Sequence, residues 1–594
     1  MEFEPRQNRR ILLALRQLII TACFLSFLSS CGGGGGSSAN SSSSASPASG
    51  VGTSGNSSSG GGSSGGTGTN TPVTITGNDA ARLAEQAAFG PTPALVAAIN
   101  AQGPAWIDAQ IATPATGYTA VAPINADSNI VCPTGSATTC YQNNYTSLPV
   151  QIQFFQNAIH GPDQLRQRVA LAYSQIFVIS SVQVNPTYAI RNYQQMLLDD
   201  AFINFRQILN DVTLSPVMGI YLNMANNNKG NVTGSISPNE NYAREVMQLF
   251  TIGPNTLNAD GSMVLDTFGN PVPTYTQDTI EGFASTFTGW TYPNAAGATA
   301  LASDNYTQWF VNRMIPVANE HDSGTKLLLN RTQAAGQTAQ VDLAAGLDDI
   351  FNHPNVGPFI GKQLIQFLVT SNPSPAYVAR ITAVFNNDGT GTRGNMAAVI
   401  KAILMDTEAR GQVITDVNFG KLREPVVDIV AVLRALNATS DGVAPINIAA
   451  SMGEPLFGPN TVFSYYSPNY PLPKSSTMVG PQFGILNATS ALARLNFINQ
   501  LLYSTTPYPP VTYVTGATGT QIDLSAYEAV AGNVATLVQL FNTNLLHGTM
   551  SNAEATAITT ALNAIPATDA TLAKDRTLAA AYLVLASPRY QITR

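Results

Sequence analysis

The sequence predicts a mainly α-helical protein: one large helical domain with long loops and one small β-hairpin, preceded by a disordered tether. Three observations carry that expectation. The composition changes sharply only once, near residue 75, where almost pure Gly, Ser, Asn, Ala and Thr gives way to a chain with an ordinary share of apolar residues. Beyond that point apolar residues recur at helical spacing in segment after segment, each opened by a capping residue or Pro and closed by Gly or Pro. Only one pair of β-like segments is framed by hairpin turn dipeptides.

The N-terminus reads as targeting and tether. Arg6, Arg9, Arg10 and Arg16 precede an apolar run, Leu18 to Leu28, that is too short to span a bilayer, which is the form of an export signal. Leu28-Ser29-Ser30-Cys31 is similar to the lipobox of bacterial lipoproteins, which implies cleavage before Cys31 and lipid on its thiol and new amino group. An ordinary cleaved signal with a chance cysteine is the alternative. Gly32 stands where an Asp would retain a lipoprotein at the inner membrane, so the outer membrane is expected if the host has one. Arg9-Arg10 resembles a twin-arginine signal only faintly. The domains expected are a signal peptide over 1–30, lipid anchor and linker over 31–75, and a helical domain over 76–594, divisible near 505. As a random coil the linker would reach about 35 Å. Gly61-Gly62-Ser63-Ser64-Gly65 fits a nucleophile-elbow pattern, but neither strand nor helix flanks it.

Charged residues make up 11% of the chain and the net charge is -7 with no basic block, which argues against a nucleic-acid partner. A surface solubilised by neutral polar groups suits an exported protein. Cys23 leaves with the signal and Cys31 is committed to lipid, leaving Cys132 and Cys140 as a disulfide in an oxidising compartment or as two unrelated thiols.

The folded part opens with helices at Asn78 to Ala88, Thr92 to about Gln102 and Ala105 to Ile111, each stopped or started at Gly or Pro. Residues 112–148 lack periodicity and read as a long loop. Helices are expected over Gln151 to Ile159, Pro162 to Phe177, Tyr188 to Leu198, Phe202 to Val212 and Pro216 to Met224. The best-specified helix runs from Ser237 to Pro254. Ser237 serves as N-cap, Pro238 takes the first position and Glu240 completes a capping box; Tyr242, Val246, Leu249 and Phe250 share one face, and Gly253-Pro254 is the stop. Met263 to Leu265 and Val272 to Tyr275, with turns at Asp260-Gly261 and Gly269-Asn270, form the hairpin. Helices follow at Thr276 to Phe287, Thr338 to Phe351, Pro358 to Thr370, Pro375 to Asn386, Asn395 to Met405, Lys421 to Leu436 and Ile485 to Leu502. After a Pro/Thr/Gly-rich stretch, Ser525 to His547, Ser551 to Ile565 (capped by Ser551 with Glu554) and Asp569 to Ala586 complete the chain.

Several motifs stand in a recognisable order: Asn239-Glu240-Asn241-Tyr242-Ala243-Arg244-Glu245, Phe287-Thr288-Gly289-Trp290, His321-Asp322 with Gly324 and Lys326, His353-Pro354-Asn355-Val356, and Lys421-Leu422-Arg423-Glu424-Pro425. With Arg166 to Val169, Ser371 to Pro375, Val462 to Pro468 and Ser587 to Tyr590, they resemble the bacterial domain of unknown function family numbered 1800 over about residues 78 to 594. The resemblance implies a largely helical, often exported protein without an established activity. It also implies an exported sulfatase-like partner, because the genes of the two families commonly lie together. Some members carry a W-H-N-H-F-like segment where this chain has Tyr173-Ser174-Gln175-Ile176-Phe177, so no role of those histidines transfers.

Judged on their own, the residues nominate few sites. On a helical wheel Glu240 and Arg244 face solvent as an i, i+4 pair, whereas Asn241, Glu245 and Gln248 flank the apolar face. Glu245 is the candidate carboxylate, with Asn241 and Arg244 as ligand-binding neighbours; the structural alternative is a buried Glu245 holding Arg423 or Arg168. His321, Asp322 and Lys326 share a loop and could supply acid and base, or Asp322 caps a turn while His321 packs. The four histidines, His160, His321, His353 and His547, lack metal-binding spacing, so no metal site is expected and no cofactor is indicated; His353 reads as a helix C-cap. Gly357 to Lys362 lacks the spacing of a phosphate loop, and Asn387 to Gly391 lacks the ligand order of a calcium loop. Tyr465, Tyr466 and Tyr470 form an aromatic loop that either stacks on sugars or peptides or covers the core. Two functions compete: a tethered binding or assembly protein acting with an exported partner, and an envelope hydrolase built from Glu245 with His321, Asp322 and Lys326.

Overall fold

A computed structural model describes residues 75 and 77–594, apart from 232–235, 412–415, 417, 476 and 569. The export signal, Cys31 and the Gly/Ser-rich tether lie outside the described residues. Helix capping sets the beginning of most elements. Thr92, Ser374 and Asn395 accept from backbone N–H groups two or three residues on, and reciprocal capping boxes open Gln277–Thr286, Ala488–Tyr503 and Asn552–Asn563. Each such cap contributes about 0.5–2 kcal/mol.

The described residues form twenty-four α-helices and four antiparallel ribbons of two residues per strand, so the protein is mainly helical. None of these helices is long and apolar enough to cross a membrane. The chain from Thr71 to Arg594 makes one compact unit. Its innermost layer is three helices buried almost all round: Gln164–Ile176, Val356–Leu368 and Pro425–Ala435. These carry the buried polar groups considered below. The ribbon joining Lys421–Leu422 to Ile592–Thr593 ties the end of the chain to this layer. Cys132 and Cys140 are joined as a disulfide, and the 112–148 stretch around them contains two short helices, Ser128–Val131 and Thr138–Asn144.

Three expected elements differ, each for a local reason. The central helix is shorter than Ser237 to Pro254, spanning Asn241–Gln248, and Ser237 does not cap it. Asn239 exchanges hydrogen bonds with Asn227, donating its N–H to Oδ1 at 2.7 Å and receiving Nδ2–H on its carbonyl at 3.2 Å, which ties the approach to another loop. The expected stop holds, since Gly253 adopts φ 71° and its N–H returns to the Met247 carbonyl. The Lys421 helix begins instead at Pro425, because a residue before proline is driven out of the α region and Glu424 is extended at ψ 150°. Ser525 to His547 is broken into Ser525–Glu528 and Val534–Leu546, with Asn533 as a new cap. The hairpin is present as isolated bridges, Leu265 with Pro271 and Leu257 with Met263, rather than as regular strands.

Candidate functional site

On the central helix Tyr242, Val246 and Met247 are buried, while Glu240 and Arg244 pair at 2.8 Å on the outside. Glu245 is 8% exposed and its Oε2 has no hydrogen-bond partner. Burial pushes its carboxyl up, against a downward pull from Arg244. Neither arginine proposed as its partner meets it: Arg168 pairs with Glu424 at 3.0 Å and Arg423 with Glu85 at 2.8 Å. Asn241 donates to Asn223 at the surface.

His321 and Lys326 belong to a different cluster. Their shared partner is Asp342, wholly buried in helix Ala339–Asn352, at 3.0 Å from His321 Nε2 and 2.7 Å from Lys326 Nζ. The other ring nitrogen of His321 faces the Thr288 carbonyl at 2.9 Å, and Lys326 also donates to the carbonyls of Asp322 and Gly324. Asp322 accepts from the Gly324 N–H, which closes a turn. Gly289, at φ 75°, lies so close that a Cβ there would sit 2.7 Å from the His321 nitrogen. No hydrogen bond or ion pair among the described residues joins this cluster to Glu245. His353 caps the end of helix Ala339–Asn352, as its position before Pro354 implies.

A second buried network lies in the innermost layer. Glu424, just ahead of helix Pro425–Ala435, receives Arg168 Nη1–H on Oε1, and Gln175 Nε2–H (2.9 Å) and the Tyr466 hydroxyl on Oε2. Burial alone would raise its carboxyl; Arg168 and then Lys421 outweigh that and hold it low. Glu454 lies beside it, reached by Gln175 at 3.4 Å and by the Val426 N–H at 2.9 Å. Burial, and next the charge of Glu424, push Glu454 well above the usual carboxylate range. Lys421 donates to the carbonyls of Gln366 and Phe367, and burial brings its ammonium down to about 7.

This network borders a cavity of about 250 Å³. Its wall holds five glutamine side chains, Gln175, Gln248, Gln363, Gln366 and Gln482, among the aromatic rings of Phe359, Phe367, Phe463 and Tyr466. Gln248 and Leu249 come from the end of the central helix, one turn beyond Glu245. Phe463 stands at the cavity 56% exposed. Of the aromatic loop, Tyr466 reaches this wall, whereas Tyr465 donates its hydroxyl to the Pro455 carbonyl. Reasoning from sequence missed Glu424, Glu454 and the glutamines. Charged residues packed against a proline in Lys421 to Pro425 were the available signal, and Gln175 and Ile176 fall in the Tyr173 to Phe177 segment where the chain departs from its relatives.

A second cavity of about 330 Å³ is lined by Arg82, Glu85, Arg423, His547, Glu554 and Arg589, among others. Its charges are matched within the protein: Glu85 meets both Arg423 and His547, at 2.8 and 3.1 Å, and Arg589 meets Glu554 at 2.8 Å. Comparison with curated proteins and with solved structures finds no match. A family model described as "Protein of unknown function (DUF1800)" matches residues 82–592, nearly the whole described chain, and the protein belongs to that family.

Proposed function

We propose that this chain is an exported lipoprotein, anchored to the cell envelope through lipid on Cys31, whose helical domain captures a small polar ligand in the glutamine-lined cavity and works beside an exported, sulfatase-like partner. The observation that carries the binding reading is the cavity itself: a concave, part-aromatic site with polar groups converging on it and titratable groups of shifted affinity behind it. A hydrolase built from Glu245, His321, Asp322 and Lys326 finds no comparable support. The His321 ring and the Lys326 ammonium are committed to Asp342, and neither cavity is lined by any of the four.

The test uses the full-length protein in detergent and a panel of sugars, amino acids, short peptides and nucleosides, read as a shift in Tm. A ligand that binds only the folded state raises Tm in proportion to its occupancy. At least one class is expected to raise Tm of the wild type and not of Asn469→Trp, which places an indole at an exposed position of the cavity wall. A panel that moves neither protein, or both alike, removes the cavity as the site. Incorporation of labelled palmitate, lost in Cys31→Ser, tests the anchor, and co-purification from envelopes tests the partner.

A further inference from the structure

The cavity wall has a polarity, and one buried carboxylate sets much of it. Glu424 is ionised against Arg168 at 3.0 Å, so groups meeting its Oε2 must donate. Gln175 therefore turns its amide nitrogen to Glu424, and Tyr466 gives its proton to the same oxygen. With that proton committed, Gln482 meets the Tyr466 oxygen as a donor. Gln366 is turned the same way by two carbonyls, Ser371 and Pro468, each 3.1 Å from Nε2. In all three glutamines the nitrogen is thus spent on the protein. What remains is Oε1 of Gln175, Gln366 and Gln482, and none of these oxygens has a hydrogen-bond partner although all three residues are more than nine-tenths buried.

Buried acceptors without donors are costly, and three around one void ask for a guest that donates. We propose, resting on the cavity being a ligand site, that it is a subsite for one neutral saccharide ring, whose hydroxyls donate to Gln175, Gln366 and Gln482 and whose apolar face packs on Phe463. Three features select this class. The Glu424 charge is matched by Arg168, so the wall offers acceptors without a net negative charge that would ask for an ammonium. A peptide brings a carbonyl for every N–H, and a wall whose donors are spent does not answer it. The volume, about 250 Å³, falls below the roughly 300–1,000 Å³ of sites for larger ligands, which suits one ring rather than a chain.

The experiment titrates full-length protein in detergent, by calorimetry, with glucose, galactose, mannose and N-acetylglucosamine, with their deoxy and deoxyfluoro analogues, and with tri-alanine. A hydroxyl read as a donor is lost in both analogues, because fluorine can accept but not donate. The expected result is binding of at least one parent sugar, weakened roughly ten-fold or more by both analogues at the same position. Phe463→Ala is expected to weaken binding by about the same factor, and Phe463→Tyr to retain it. A deoxyfluoro sugar that binds like its parent overturns the donor reading. Binding of tri-alanine and of no sugar, blocked by Asn469→Trp, overturns the saccharide and leaves the binding function standing. No guest that Asn469→Trp blocks removes both.

Discussion

Two buried ionic clusters, built from similar residue types, have opposite relations to space. Around Asp342 the charged groups turn inward. His321 and Lys326 meet one carboxylate oxygen, the surplus donors go to backbone carbonyls, and neither cavity is lined by the cluster. Around Glu424 the charge is paired just as closely with Arg168, but the neutral side chains that complete its shell also form the wall of a void. The difference teaches that a buried charge cluster is not a functional signal by itself. What distinguishes the second is a shell whose unused atoms face space a ligand can enter.

The largest effect should come from breaking either cluster. Removing one partner of a buried pair strands the other, at a cost of about 3–5 kcal/mol. Asp342→Ala is expected to lose that much in urea unfolding while leaving ligand binding of the folded protein intact. Arg168→Met is expected to lose as much and to weaken binding as well, because Glu424 then orders its shell without a counter-ion. If Asp342→Ala altered binding as strongly as Arg168→Met, the contrast between the clusters would fail.

A smaller effect isolates the closure of the first cluster. Gly289 combines a left-handed φ of 75° with its close approach to the His321 backbone. Gly289→Ala is expected to cost about 1–3 kcal/mol, also in urea unfolding, from backbone strain and the shift it forces. A loss under about 0.5 kcal/mol would mean that the loop has room to move.

Much of the fold was legible in the sequence because its information is local. Capping residues such as Ser551 with Glu554, proline starts such as Pro375 and the apolar stripe Tyr242, Val246, Phe250 act within a few residues of where they are read. The misread boundaries depend on longer range: Asn227, twelve residues away, shapes the approach to the central helix. Proline 425 was the exception, a local signal passed over, and it moves the Lys421 helix start past Glu424. The site was hidden for the same physical reason on a larger scale. Arg168 and Glu424 are 256 residues apart, and glutamines, common on surfaces, acquire meaning only when packing buries them. His321 and Lys326 were legible as neighbours, but the residue that decides their role, Asp342, carries no mark in the sequence.

The second cluster also contains a lysine that should report on it through pH. Burial, helped by Arg168, brings Lys421 down to about 7, against upward pulls from Glu424 and Glu454. In the unfolded chain it titrates near about 10.4. The unfolded state therefore binds more protons between these values, so wild-type stability gains a contribution as pH rises from 7 and loses it as pH falls back. Lys421→Met removes the titrating group. From pH 7 to 9 the wild type is expected to gain stability relative to the variant, measured by urea unfolding at each pH; parallel curves would show that Lys421 is not held neutral by its burial.

The smallest expected effect on stability falls at Phe463, and it separates the two meanings of an exposed aromatic residue. At 56% exposure the ring buries little area, and no ring stacking or cation contact to it is present among the described residues. Removing it should change stability by no more than about 0.5 kcal/mol. A ring that covered the core would instead cost about 3–5 kcal/mol on truncation to Ala, the range for a packed Phe. Chemical denaturation of Phe463→Ala without ligand decides between them. A stability loss within the small range, together with lost ligand binding, makes Phe463 a platform at the open cluster; a loss of several kcal/mol makes it core cover and takes the aromatic floor away from the proposed sugar subsite.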